Sequence, residues 1–466
     1  MKAKELQKQL TFEYSDFTEN HAAETEKACA FAEGYKAFLA KAKTEREFHA
    51  AATELLNEAG YRPFEPGKKY RSGDKVFFNN RDKALIMTTF GRRPVSDGLR
   101  MNAAHIDSPR LDLKPMPLFE KDGLAYFKPH YYGGIRKYQW ATIPLAMHGV
   151  IIREDGETVQ VSVGEKAGEP QFVISDLLPH LSAKQDDRKL KEGLRAEELN
   201  IIIGSIPFRE DGEEDDSSVR EAVKLRALQL LNEQFGITEK DFLRAEIEFV
   251  PAVQPVDIGF DRGLVAAYGQ DDRVCAYTAL MAELETGEPE YTTVTVLADK
   301  EEIGSYGNTG LSSEFLLHYV EDLAEAEGAN VRTVLRNSIC LSSDVSAAYD
   351  PTFPEPFEKN NSPFLGKGVA IVKYTGARGK SGSNDASAEL MGKIISIMDK
   401  AGVCWQTGEL GAVDAGGGGT VALYVAGRDV NVVDIGVPVM SMHSPFEVTS
   451  KFDVYSAYRA YKAFYE

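Results

Sequence analysis

A β-branched run, YTTVTVLA at positions 291–298, ends abruptly in the charged turn Asp299-Lys300-Glu301-Glu302, followed by Gly304 and Gly307. Its alternation suits a pleated, largely buried strand. Two adjacent carboxylates at the end of such a strand repel each other unless a cation or a shared proton relieves them. One arrangement divides the labour: one glutamate binds a metal, and its neighbour takes a proton from water. A lone Glu-Glu pair is more simply a solvated loop, so the reading turns on what else in the chain shares this placement.

Much does. Residues 84–89, 99–104, 264–268, 338–342, 403–406 and 432–437 also read as strands. Residues 15–60, 272–285, 312–327, 386–399 and 450–464 carry helical spacing, with Val274, Tyr277, Met281 and Leu284 on one face of the second. The final helix turns Val454, Tyr458 and Tyr461 inward. Strands alternating with helices predict an α/β fold, a mostly parallel sheet covered on both faces. The texture changes between 113 and 250, where short β-like runs such as TVQVSVG and HYYGGIRKYQW alternate with Gly and Pro. A polar stretch at 185–200, an acidic run at 210–216 that reads as a solvated loop, and an amphipathic helix at 219–235 complete this part. A chain of 466 residues suits about two domains. We expect one discontinuous domain made of 1–112 and 251–466, interrupted by a β-rich domain at 113–250.

Acidic residues outnumber basic ones by 72 to 53, for a net charge of −19. That disfavours nucleic acid and anionic membranes, which need a basic face. The start, MKAKELQKQL, has no apolar signal core, and no apolar run of about 18 residues occurs. Cys29, Cys275, Cys340 and Cys404 are isolated, with no CxxC spacing, as free thiols of a reducing compartment would be. The expectation is a cytoplasmic protein without nucleic-acid or membrane partners.

Five metal-ligand residue types share the placement of the glutamate pair. His105 follows strand 99–104, Asp271 follows 264–268, Glu302 follows 291–298, Asp344 follows 338–342, and His443 follows 432–437 by a short loop. Open α/β sheets bind ligands beyond the carboxyl ends of their strands, so residues dispersed in sequence converge there. Two histidines and three carboxylates form an N/O donor set that suits zinc, and also manganese or cobalt. With so few side chains, two ions are best held when one carboxylate bridges them. Asp271 is the natural bridge, with Asp272 and Arg273 beside it to orient and neutralise it. Asp107 shares a face with His105 in an extended segment and is placed to support it from behind. The glycine run at 416–419 lacks the GxxxxGK[ST] pattern and is not a phosphate loop. Close backbone approach beside a substrate and a flexible turn both fit it. Arg378 and Lys380, in a Gly-rich loop, suit a substrate carboxylate or plain surface charge. His21, His49, His130, His148 and His318 have no motif company and read as structural.

AAHIDSPRLDLKP, YGQDDRVCAYTAL, LADKEEIGSYGNTG, SSDVSAAYDPTFP and SMHSPFEV occur in this order. Together they resemble the aspartyl aminopeptidase family of co-catalytic zinc exopeptidases, over nearly the whole chain. The resemblance implies a three-layer α/β/α metallo-exopeptidase domain with a β-rich insertion used for assembly. It implies two divalent ions, zinc foremost: His105 and Asp344 on one, Glu302 and His443 on the other, Asp271 on both. Glu301 becomes the general base and Asp107 the supporting carboxylate. Peptides are the implied substrates, cleaved one N-terminal residue at a time with acidic N-termini preferred, and a homo-oligomer, commonly a tetrahedral dodecamer, is the implied assembly. Two departures stand out. Asp272 follows the bridging Asp where the family often has Asn. In VKYTGARGKSGSND, Lys373 matches the acidic-pocket Lys but Ser381 stands at its Tyr. His180, in PHLSAK, lies in a stretch that in the family reaches a neighbouring subunit's active site, with Lys184 where a second His is often found. Two other readings fit the same residues: a deacylase acting on a non-peptide amide, and a non-catalytic assembly built on a peptidase fold.

Overall fold

The computed structural model describes residues 3–209 and 220–466. The acidic run at 210–216 lies outside the described residues. A nine-stranded sheet forms the centre. Its middle strands, Thr293–Ala298, Arg100–His105, Ile339–Ser342 and Asn431–Gly436, run parallel in that spatial order. Ala84–Thr89 and Lys75–Asn80 extend one side antiparallel. Val369–Val372 pairs antiparallel on the other side and carries Trp405–Thr407 in parallel.

The period-two alternation of the strands feeds two separate cores. Val294, Val296 and Ala298 face a cluster covered by helices Phe315–Glu327, Val331–Asn337 and Ala422–Ala426. Leu297 faces the opposite cluster, covered by Thr25–Leu39, Glu45–Glu58, Gln270–Leu284, Ala388–Ala401 and Lys451–Tyr465. The fold is therefore helix, sheet, helix in three layers, as alternation predicts. Helix starts follow local chemistry: Thr44 and Glu47 form a capping box, and Ser387 and Ser450 cap the last two long helices. The expected one-faced helix at 272–285 is buried almost all round, because the final helix packs on it opposite the sheet.

Two further sheets flank this body. Seven antiparallel strands between Arg110 and Pro251 enclose their own core around Trp140, Phe127 and Phe249. A helix, Ala222–Phe235, packs on this sheet. A five-stranded sheet gathers Val256–Ile258, Leu264–Ala267, Glu447–Ser450, Pro438–Met440 and Ser346–Ala347. Here the sequence reading needs correction: Leu264–Ala267 is not a strand of the main sheet but pairs antiparallel with Glu447–Ser450. Lys75–Asn80 and Val369–Val372 were not expected as strands. No helix among the described residues is long and apolar enough to cross a membrane. All four cysteines are free, and three of them are buried.

Candidate active site

His105 closes the central strand Arg100–His105, one position from the start of the glutamate turn across the sheet, since Ala298 pairs with His105. Its Nδ1 lies 3.0 Å from the Asp107 carbonyl oxygen. That oxygen only accepts, so Nδ1 carries a proton and Nε2 is the nitrogen left to bind a metal. Nε2 lies 3.3 Å from Asp271 Oδ1 and 3.8 Å from Asp344 Oδ1. On the other side, Asp271 Oδ2 lies 3.1 Å from His443 Nε2, which is 3.6 Å from Glu302 Oε2. Two groups result, His105–Asp271–Asp344 and Asp271–Glu302–His443, each with its ligand atoms within 4.8 Å of one another. Asp271 belongs to both, one oxygen to each. All five predicted positions are thus brought together.

Asp107 works from behind the site. Its Oδ1 accepts from the Glu301 backbone N–H at 3.1 Å, and its Oδ2 from Glu302 N–H at 3.2 Å and the Tyr132 hydroxyl at 2.8 Å. One buried carboxylate therefore sets the turn that carries both glutamates. Asp272, joined to Asp271 by a cis peptide bond, accepts the His105 N–H at 3.2 Å. Arg273 does not neutralise Asp271. Its guanidinium donates to the carbonyls of Gly269, Ala42 and Tyr268, closing the entry to its own helix. Sequence reasoning also missed Glu447 and Gly134. Glu447 accepts from the backbones of Asp271 and His443, and the Gly134 carbonyl lies 2.9 Å from His443 Nδ1. Both stand in quoted motifs, SMHSPFEV and HYYGGIRKYQW, but only the contacts show their use.

The electrostatics fit a cation-binding cluster. Burial pushes the Glu302 and Asp344 carboxyls well above the usual range, with neighbouring carboxylates adding to it. Burial also lifts Glu301, to about 7, and Glu447, to about 8. Burial opposes a charged His443, but Asp271 and Glu302 outweigh it and lift the imidazole to about 10. Burial would raise Asp271 too, yet the two imidazoles hold it well below the usual carboxylate range. Among the described residues no lysine or arginine is ion-paired with Asp271, Glu301, Glu302 or Asp344, and Glu302 Oε1 is buried without a hydrogen-bond partner. Protons take the place that divalent ions take in such donor sets. Imidazole nitrogens with carboxylate oxygens, each imidazole holding its proton away on a carbonyl, suit zinc.

The family model described as Aminopeptidase I zinc metalloprotease (M18) matches residues 38–465. The chain belongs to the M18 family. A "Probable M18 family aminopeptidase 1" of Clostridium acetobutylicum is 47% identical over 443 residues, covering 93% of this chain and 94% of that one. The crystal structure of an M18 aminopeptidase from Thermotoga maritima superposes with a TM-score of 0.92 at 44% identity, covering 98% of this chain and all of that one. A dodecameric mApe1 from S. cerevisiae shares the fold, with a TM-score of 0.75 at 20% identity over 93% of this chain and 96% of that one. M18 membership makes this chain a metal-dependent aminopeptidase of the zinc metalloprotease class.

In this M18 chain a cavity of about 290 Å³ opens onto Asp271, Glu301, Asp344 and His443. Val345, Val372, Leu410 and Met442 give it an apolar side, and Gly417, Gly418 and Gly419 supply backbone. The remaining sequence candidates lie outside it. Lys373 and Lys380 both pair with Asp385, and Lys380 also sits 3.8 Å over the Tyr374 ring. Arg378 and Lys380 line an adjoining cavity that shares Thr375, Leu410 and Gly417 with the first. His180 is exposed, beyond the short strand Val173–Ile174 of the seven-stranded sheet.

Proposed function

We propose that the chain removes the N-terminal residue from peptides with two zinc ions. His105 and Asp344 would hold one ion, Glu302 and His443 the other, with Asp271 offering one oxygen to each. The carrying observation is the division of Asp271, one oxygen 3.3 Å from His105 Nε2 and the other 3.1 Å from His443 Nε2. When bound, zinc supplies the Lewis acidity that polarises a scissile carbonyl and acidifies water. Glu301, on the cavity wall with Oε2 3.9 Å from His105 Nε2, takes the proton from the attacking water and passes it to the leaving amine. Asp107 holds Glu301 and Glu302 in register through their backbone N–H groups.

The acidic preference implied by the family likeness finds little support in the cavity. No lysine or arginine lines it among the described residues, and Lys373 is engaged with Asp385. We assign the first subsite to an uncharged side chain, and Arg378 to a carboxylate farther along the peptide, Lys380 being engaged with Asp385 like Lys373. The segment 113–250, with its own core, is assigned to homo-oligomer assembly, a dodecamer by analogy with the yeast relative, with His180 at the interface. Four free cysteines accord with a cytoplasmic setting.

A dipeptide panel spanning apolar, basic and acidic N-terminal residues tests this, each peptide also in N-acetylated form, with chelator and with added zinc, cobalt or manganese. Expected are chelator-sensitive cleavage of free N-termini and faster turnover of Leu and Met than of Asp and Glu. Equal cleavage of the acetylated peptides, or chelator-insensitive cleavage, overturns the proposal.

A further inference from the structure

Glu447 is buried at the first position of the strand Glu447–Ser450, and both its carboxylate oxygens serve proposed zinc ligands. Oε2 accepts the Asp271 N–H at 3.1 Å, and Oε1 accepts the His443 N–H at 2.7 Å. The strand register explains the reach. Ala267 pairs with Glu447, which places the carboxylate at the entry to the helix Gln270–Leu284. Gln270 reinforces the junction by donating its Nε2–H to the Glu447 carbonyl at 2.6 Å. His443 itself sits at φ 63°, a left-handed backbone that a histidine keeps only when its surroundings impose it. The Glu447 carboxylate on its N–H and the Gly134 carbonyl on its ring supply that imposition. Asp107 does the same for Glu301 and Glu302, so the backbones of Asp271, Glu302 and His443 all rest on two buried carboxylates that each accept from two N–H groups.

We propose that Glu447 is a positioning residue for the ion held by Asp271, Glu302 and His443. It sets the separation of Asp271 from His443 and thereby that ion's affinity, without touching ion or substrate. The inference rests on the two-ion reading of the site. Outer partners of this kind typically change metal affinity about 10–100-fold when removed.

The test measures zinc bound per chain by equilibrium dialysis, for the wild type and for Glu447→Ala and Glu447→Gln. Glutamine preserves volume, but its amide accepts at most one of the two N–H groups and opposes the other with a donor of its own. The expected result is one retained ion at wild-type affinity, which also reports that the variant is folded, and a second bound about 10–100-fold more weakly. Activity of both variants should recover as zinc is raised, with kcat near wild type and the half-activating zinc concentration shifted by the same factor. Two ions at unchanged affinity, or parallel loss of both, overturns the role of Glu447. A wild-type stoichiometry of one overturns the two-ion reading instead, and the two failures are distinct.

Discussion

His443 Nδ1 lies 2.9 Å from the carbonyl oxygen of Gly134, in the loop that follows the strand Leu124–Tyr132 of the seven-stranded sheet. A carbonyl only accepts, so Nδ1 keeps its proton and Nε2, facing Asp271 and Glu302, is the nitrogen left to bind an ion once its own proton is displaced. The same sheet supplies the Tyr132 hydroxyl to Asp107. It therefore braces the site at two points, behind Asp107 and behind His443.

A methyl group at Gly134 tests that link. A Cβ there meets His443 Nδ1 at 3.1 Å, tight enough to displace the ring by a few tenths of an ångström. Gly134→Ala should weaken the zinc assigned to Asp271, Glu302 and His443 by roughly tenfold, as loss of an outer partner does. Thermal unfolding in excess zinc should move by no more than about 2 °C, since a surface change within about 0.5 kcal/mol costs little. Unchanged zinc affinity would show that the carbonyl does not orient the imidazole.

Glu301→Gln separates catalysis from metal binding. A general base typically contributes about 10²–10⁴-fold, so turnover should fall at least a hundredfold. Zinc content should persist, because Glu301 is in neither ligand group and its backbone N–H still reaches Asp107. Stopped-assay rates with zinc analysis of the same sample check it. Wild-type turnover would remove Glu301 from the chemistry.

How these residues were legible differs one by one. His105, Glu302 and Asp344 end strands or follow them closely, and parallel pairing of those strands puts their ends on one edge of the sheet. Alternating β-branched runs carry that information locally. Asp271 and His443 were found for a partly mistaken reason, because both approach through the five-stranded sheet. A four-residue strand such as Leu264–Ala267 does not reveal which sheet it joins, since its partner Glu447–Ser450 is remote in sequence. The VAIV of Val369–Val372 is too short an apolar run to separate strand from helix. Glu447 accepts from a backbone N–H 176 residues away and the Gly134 carbonyl faces an imidazole 309 residues away, and such contacts impose no periodicity on the sequence.

His148 makes a pH-dependent joint between the seven-stranded sheet and the helix Glu45–Glu58. Its ring nitrogens lie 2.7 Å from Glu47 and 3.0 Å from Glu165, and Lys43 also binds Glu165. Burial opposes protonation, but the two carboxylates outweigh it and lift the imidazole to about 9. A raised folded value stabilises fully below the unfolded value of about 6.5 and is lost as pH rises toward the folded one. The gap of about 2.5 units sets an upper bound of about 3.5 kcal/mol at about 1.4 kcal/mol per unit. Urea unfolding at pH values from about 6 to about 9.5 should show wild type losing stability relative to His148→Gln across that window. Parallel curves for the two proteins would mean the imidazole does not gain its proton from this pair.

The glycine run at 416–419 brings backbone to the cavity wall. A Cβ on Gly417, at φ +111°, would come 2.1 Å from the Gly376 carbonyl oxygen, and Gly376 N–H donates to the Gly418 carbonyl at 2.6 Å. Two loops therefore touch main chain to main chain, and Thr420 anchors the end by donating to Asp434 Oδ1 at 2.7 Å. Gly417→Ala must push these loops apart, and misplacement of a substrate-facing wall by about 1 Å costs up to about a hundredfold. We expect kcat/KM to fall at least tenfold with zinc content unchanged. Gly419→Ala is the matched control, since its Cβ meets nothing closer than the Gly382 carbonyl oxygen at 3.5 Å, an ordinary contact, and should leave kcat/KM within about twofold. Equal effects of the two substitutions would show that main-chain closeness at Gly417 is not what shapes the substrate wall.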